Sequence, residues 1–259
     1  MQIVAVRERM HKLLGIFGLV VLAGLAAVAP AAAQIVNEND PVFLRFPDLR
    51  KRYFDSSETK VAMHKFIAMP MPKQCVYFYV DVYSKPSMSD RDTREEALRT
   101  CRNNMQKYGP LGENYAVSCD CRIVIGRDKY RLEPSELPTL GYAPLSLFYR
   151  DSAGRVTRVH GYTEYGLQFR PGESGPLTVY TPTGNRVCTG SITIPGAFSG
   201  NFSLNCPAAR FTASGQLQYD RGQNPKDHTV GRGVTPNGGA VTMVIGLPSG
   251  AAQARYGSQ

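Results

Sequence analysis

The chain has no tryptophan and only four histidines in 259 residues. The first absence weighs against a dedicated lectin, because tryptophan is the best ring for stacking on a sugar. The second leaves little for a metal centre: His64, His160 and His228 stand far apart, outside the paired spacings that zinc ligands adopt. Neither a G-x-S-x-G elbow nor an H-E-x-x-H helix occurs, so the usual local marks of a hydrolase are missing. Ser57-Glu58-Thr59-Lys60 fits S-x-x-K, but neither S-D-N nor K-T-G follows it, and chance accounts for the match. Gly231-Arg232-Gly233 and Gly238-Gly239 lack the lysine and helix start of a phosphate loop and read as hairpin turns. Beyond residue 28, no segment stays apolar for the roughly 20 residues a membrane helix needs.

What is present begins with an address. Arg7, Arg9 and Lys12 precede an apolar run over residues 13–28, and Ala31-Ala32-Ala33 supplies a small-residue cleavage site before Gln34. The expectation is a signal peptide over residues 1–33, cleaved after Ala33, and a periplasmic or secreted protein with no membrane span after cleavage. The formal +9 of the whole chain loses the net two charges of Arg7, Glu8, Arg9 and Lys12, leaving +7. A basic surface can favour an anionic envelope polymer. The charges are scattered, however, and Arg50-Lys51-Arg52 is the one dense cluster, too short for the basic groove that grips single strands. Nucleic acid is therefore not an expected partner. All six cysteines, Cys75, Cys101, Cys119, Cys121, Cys188 and Cys206, follow the address, and an even count in an exported chain argues for disulfides.

The fold class expected is α+β, a small strand-helix-strand domain followed by an all-β antiparallel barrel or sandwich. Residues 34–60, interrupted by Pro41 and Pro47, read as an irregular segment wrapped on the surface. Residues 61–132 read as a disulfide-stapled α+β domain. Strands are expected over 61–69 and 76–82, the second from strict alternation. A helix follows, capped by Thr93 with Glu96 and carrying Ala97, Leu98, Cys101, Met105 and Tyr108 on one face. The next strand, 115–125, places Val117, Cys119, Cys121, Ile123 and Ile125 on its apolar face. Cys101 should therefore bond Cys119 or Cys121, with Cys121 preferred, and Cys75 should take the other.

The helix run Glu95 to Cys101, E-E-A-L-R-T-C, with Cys119-Asp120-Cys121-Arg122-Ile123-Val124 about twenty residues on, resembles exported Gram-negative proteins of unknown function that carry a small cysteine-bearing strand-helix-strand domain. The resemblance covers about residues 61–130. It implies an exported, stapled module and brings no catalytic residue or substrate with it.

Residues 133–145 contain Pro134, Pro138, Gly141 and Pro144 and read as a linker. Residues 146–250 read as seven or eight antiparallel strands with turns at 151–154, 181–185, 207–209 and 236–239, and residues 251–259 as a disordered tail. If the chain turns near Ala197, the parities of Cys188, Ile192 and Ile194 and of Phe202, Leu204 and Cys206 set Ile192 opposite Phe202 and Cys188 opposite Cys206, within disulfide reach. His160, Tyr162 and Glu164 share parity on one strand. They are the candidate binding residues, read first as a solvated polar face and second as a ligand-contact or acid-base patch. The function expected is non-catalytic: an exported protein, without cofactor or metal, that binds an envelope component or a periplasmic protein. The alternatives are a hydrolase using His160 and Glu164, or a module for anionic glycan or lipid.

Overall fold

The structure, a computed structural model, describes residues 34–57, 64–76, 82–84, 86–108, 111–166, 171–196, 199–220 and 228–258. The expected signal segment lies outside them, as do most of the strand at 76–82, the turn at Ala197 and the last three residues of the S-x-x-K match.

Within the segment 34–60, the described residues 34–57 are not irregular. Pro41 and Pro47 stand at the start of two short helices, α1 (Pro41–Arg45) and α2 (Pro47–Arg50), where a missing N–H costs nothing and the fixed φ suits the first turn. A π-helical turn, Lys51–Asp55, follows. Val42, Phe43, Leu49 and Tyr53 from this segment pack on Ile67 and Ile125 of a four-stranded sheet. That sheet runs β2-β1-β3-β4, with β1 (Phe66–Met71), β2 (Val82–Tyr83), β3 (Asp120–Gly126) and β4 (Lys129–Tyr130). On its other face, α3 (Asp90–Tyr108) sets Ala97 and Cys101 against Phe66, Ala68 and Cys121. With both faces covered, strict alternation fails. Every residue of β1 is buried, and Val124 is as enclosed as Ile125. Val117, expected inside, is exposed because β3 starts only at Asp120.

The helix also starts earlier than Thr93. Ser89 Oγ accepts from Asp92 N at 3.1 Å, which makes Ser89 the cap, while the buried Thr93 hydroxyl donates to Ser89 O at 2.8 Å. Two disulfides, Cys101–Cys121 and Cys75–Cys119, tie the helix and the loop after β1 to β3 and its approach.

The expected linker is half strand. β5 (Gly141–Arg150) begins inside it, followed by β6 (Val156–Tyr165), β7 (Glu173–Tyr180), β8 (Arg186–Gly196), β9 (Ser199–Cys206), β10 (Phe211–Asp220), β11 (His228–Val234) and β12 (Ala240–Ile245). Each strand pairs antiparallel with the next and β12 returns to β5, giving a closed barrel rather than a sandwich. Pro144 is tolerated in β5 because the β12 ladder ends at Leu145–Ile245. Its missing N–H points to that side, where no strand N–H bond is due. Its carbonyl still accepts from Gly246 N at 2.9 Å.

Leu145, Leu147, Val179, Ile192, Phe202 and Met243 help fill the barrel. Gly231 and Gly233 lie in β11, not in a turn, and leave room for the Phe202 ring: a Cβ at Gly233 would stand 2.8 Å from it. Along β9 the outward residues are Ser199, Asn201, Ser203 and Asn205 and the inward ones are apolar, the reverse of a membrane-spanning barrel. Among the described residues, no helix is long and apolar enough to cross a membrane. The register Ile192↔Phe202 and Thr189↔Asn205 holds, and Cys188–Cys206 is bonded with Cα atoms 4.1 Å apart.

Residues 251–258 are not a disordered tail. α4 (Ser249–Tyr256) lays Ala252 and Tyr256 over Phe148, Val230, Val244 and Leu247, and Tyr256 Oη meets the buried His228 Nε2 at 2.7 Å. Gln34–Gln259 forms one compact unit, so the two expected domains are lobes of a single body. They meet through Cys75, Tyr115, Tyr142 and Tyr162. All six cysteines are bridged, which fits an oxidising, exported environment.

Candidate functional site: an arginine-lined groove

His160, Tyr162 and Glu164 do share the outer face of β6, opposite Ser146, Pro144 and Tyr142 of β5. They do not form one patch. Tyr162 is buried between the lobes, stacked on Tyr180 at 5.1 Å and tilted against Tyr115 at 5.2 Å. Beside it, Asn114 Nδ2 donates to Gly161 O at 2.7 Å, and Asn114 Oδ1 accepts from Ser249 N at 3.0 Å. One buried amide thus holds both lobes and the start of α4.

Glu164 faces the phenols of Tyr142 and Tyr180, whose pKa values are pushed up first by burial and then by that carboxylate. His160 Nδ1 lies 2.8 Å from Ser146 Oγ, its ring edge-on to Phe148. Burial lowers its pKa, Arg158 adds to that, and Gln253 opposes both. Four residues along a strand separate His160 from Glu164 by about 13 Å. They cannot share a proton on one substrate atom.

A concave site does exist, in the other lobe. Between α3 and the sheet lies a groove of about 620 Å³ with Phe66, Leu98 and Ile123 in its lining. Arg94 and Arg102 enter from α3, one turn either side of Leu98. Arg122 comes from β3, and Arg131 follows β4. Arg127 stands at the β3–β4 turn, where Arg127 and Asp128 both take left-handed φ values of 54° and 57°, the geometry of a two-residue hairpin turn.

Three of these arginines are paired. Arg127 Nε bonds Asp90 Oδ1 at 2.7 Å, Arg122 Nη1 bonds Glu136 Oε1 at 3.1 Å, and Arg102 Nε lies 3.6 Å from Asp120 Oδ1. The hydrogen bond from Arg127 holds the Asp90 carboxyl below its usual range. Beneath the turn, burial acts to raise the pKa of Asp128, but hydrogen bonds from Tyr53 and Lys65 outweigh it and keep the carboxylate ionised. Five guanidinium groups therefore meet three carboxylates; Arg94 and Arg131 make no ion pair within 4 Å among the described residues, though Arg131 is within electrostatic reach of Asp90. Guanidinium binds carboxylate, sulfate or phosphate through paired N–H bonds, and the paired arginines are already oriented for it.

No protein-family model matches the chain, and no curated protein matches it. Among solved structures a redesigned β-barrel is similar, at 15% identity and TM-score 0.29, over 40% of this chain and 87% of that one. That likeness is too loose to carry an argument.

The arginines are scattered in the sequence and invisible as a cluster. The one legible sign is Arg94, Leu98 and Arg102 at i, i+4 and i+8, a basic stripe on one helical face. The dense run Arg50-Lys51-Arg52 takes no part in the groove; Arg50 is paired with Glu38 at 2.7 Å. Among the described residues, no group of three His, Cys, Asp or Glu side chains could hold a metal ion.

Proposed function

We propose that this is an exported, non-catalytic binding protein of the periplasm whose ligand is an anionic envelope polysaccharide, held in the groove between α3 and the sheet. The observation that carries this reading is the lining of that groove: five arginines against one lining carboxylate, Asp90, with Phe66, Leu98 and Ile123 beside them. An extended polymer with repeated acidic groups suits a groove of this kind better than a compact anion does. The guanidinium groups lie along both walls, and Phe66, Leu98 and Ile123 offer apolar contact to a sugar ring between them. Residues 1–33 supply the export signal, and three disulfides suit the compartment.

The test is titration calorimetry with polygalacturonate and with dextran sulfate, probes of carboxylate and sulfate respectively. Affinity for at least one should fall by about tenfold or more as salt rises from about 0.05 to about 0.5 M. Arg94→Ala with Arg131→Ala should weaken it by about tenfold at low salt. Binding that ignores both salt and these substitutions would contradict the reading.

A further inference from the structure

Asp90 is the one carboxylate in the lining of the arginine groove, and it has a second partner behind the wall. His64 stands two residues before Phe66, on the same parity, and meets α3 as Phe66 does. Its Nδ1 lies 3.2 Å from Asp90 Oδ1, the same oxygen that Arg127 Nε reaches at 2.7 Å. One carboxylate oxygen is therefore shared between an imidazole and a guanidinium. The pairing of β1 with β3 makes the meeting possible. It runs on past Phe66↔Gly126, where Arg127 N donates to Lys65 O at 3.1 Å, and so holds the β3–β4 turn beside His64.

His64 does not itself line the groove. Its Nδ1 is shut away from water and has no hydrogen-bond partner among the described residues, yet a charge on the ring would sit at ion-pair distance from Asp90. The other charges nearby are engaged elsewhere or face the groove. Lys65 turns to Asp128 at 3.1 Å and to the Tyr53 ring at 4.4 Å; Arg91 pairs with Asp92 and Glu95; Arg94 and Arg131 are in the groove lining. The Asp90 carboxyl stays ionised through the range in which a histidine titrates, because the hydrogen bond from Arg127 holds it below its usual range. With His64 neutral, Asp90 and Arg127 cancel. With His64 protonated, one carboxylate faces two cations, and the surplus charge falls to Arg127, on the groove side.

We propose that His64 is a pH sensor for the groove: its protonation takes over Asp90 and releases Arg127 to the ligand, so an anionic polymer is held more tightly in acid. This inference rests on the reading of the groove as an anion site. His64 acts through Asp90 and Arg127 and is a positioning residue, without contact to the ligand.

The test is calorimetric titration of residues 34–259, one compact unit, with dextran sulfate, whose sulfate esters keep their charge throughout. At about 0.05 M salt, affinity should rise about fivefold from pH 8 to pH 5.5, the size of effect that one added charge exerts at contact distance in water. His64→Gln should reduce that rise to less than about twofold. His64→Lys, a fixed charge, should bind at pH 8 within about twofold of the affinity the unaltered chain reaches at pH 5.5, a gain that loss of structure does not produce. His160→Gln, in the barrel, should keep the full response. On the unaltered chain, binding at about pH 6.5 should take up part of a proton, read as a difference in heat between buffers of unlike ionisation enthalpy. Affinity that does not change with pH, or a rise that survives His64→Gln, overturns this proposal and leaves the groove reading standing. No binding of dextran sulfate at any pH overturns both.

Discussion

Two regions of the molecule treat charge in opposite ways. Around α3, five arginines converge on one groove although they come from a helix, a strand, a turn and a segment after a strand. Across β8–β10, charge is almost absent from a surface fully open to water. Both lobes bury apolar cores and both are stapled by disulfides, so stability does not require the contrast. On the function proposed above, the arginine-lined region depends on ionic attraction, which salt weakens, and the charge-poor strands β8–β10 take no part in it.

The largest effects should come from the staples. Cys75–Cys119 spans 44 residues and Cys188–Cys206 spans 18. On the chain-entropy account, replacing both cysteines with alanine should cost about 4 kcal/mol for the first pair and about 3 kcal/mol for the second. Urea denaturation measures both. Hydrogen exchange should show β1 and β3 losing protection in Cys75→Ala with Cys119→Ala while β8–β10 keep theirs. The reverse order would mean that the lobes do not divide stability as their separate cores imply.

Next in size is the groove. Arg94→Ala with Arg131→Ala should leave the melting temperature nearly unchanged, because both side chains are exposed and make no ion pair within 4 Å, yet reduce polyanion affinity by about 1.4 kcal/mol, a factor of ten. A large drop in melting temperature instead would make these arginines structural.

The smallest effect belongs to His160. Its pKa is lowered in the folded chain from 6.5, so as pH falls the unfolded chain takes up the proton first. Its contribution to stability is present above about pH 6.5 and is lost as pH falls through the folded value. His160→Gln should flatten the fall of stability measured by urea as pH drops below about 6.5. A stability that rises on acidification and loses that rise in His160→Gln would reverse the sign.

Where side chains alternate against one open face, the sequence was a reliable guide. The parities of 188–194 and 202–206 lead directly to Cys188–Cys206 and to Ile192 opposite Phe202. The helical stripe through Cys101 meets Cys121 for the same reason. Parity misled in the sheet covered on both sides, where Val124 is buried, and ahead of it, where Val117 is exposed because the strand has not yet begun. Prolines misled twice: Pro41 starts a helix instead of preventing one, and Pro144 sits in a strand where its ladder has run out. Two capping signals, Ser89 with Asp92 and Thr93 with Glu96, offer nearly the same local chemistry, and only packing chooses between them. Tyr162 looked like a surface contact because a strand does not say what lies over it. The groove was legible only as Arg94, Leu98 and Arg102; Arg122, Arg127 and Arg131 join it through the β3–β4 hairpin, a tertiary event.

The most direct test of this division of charge is an amide NMR map of residues 34–259 titrated with dextran sulfate at low salt. The account predicts shifts confined to residues around Arg94, Leu98, Arg122, Arg127 and Arg131, reversed by added salt, with β8–β10 silent. Shifts centred on Arg50, Lys51 and Arg52, or spread evenly over both lobes, would contradict it.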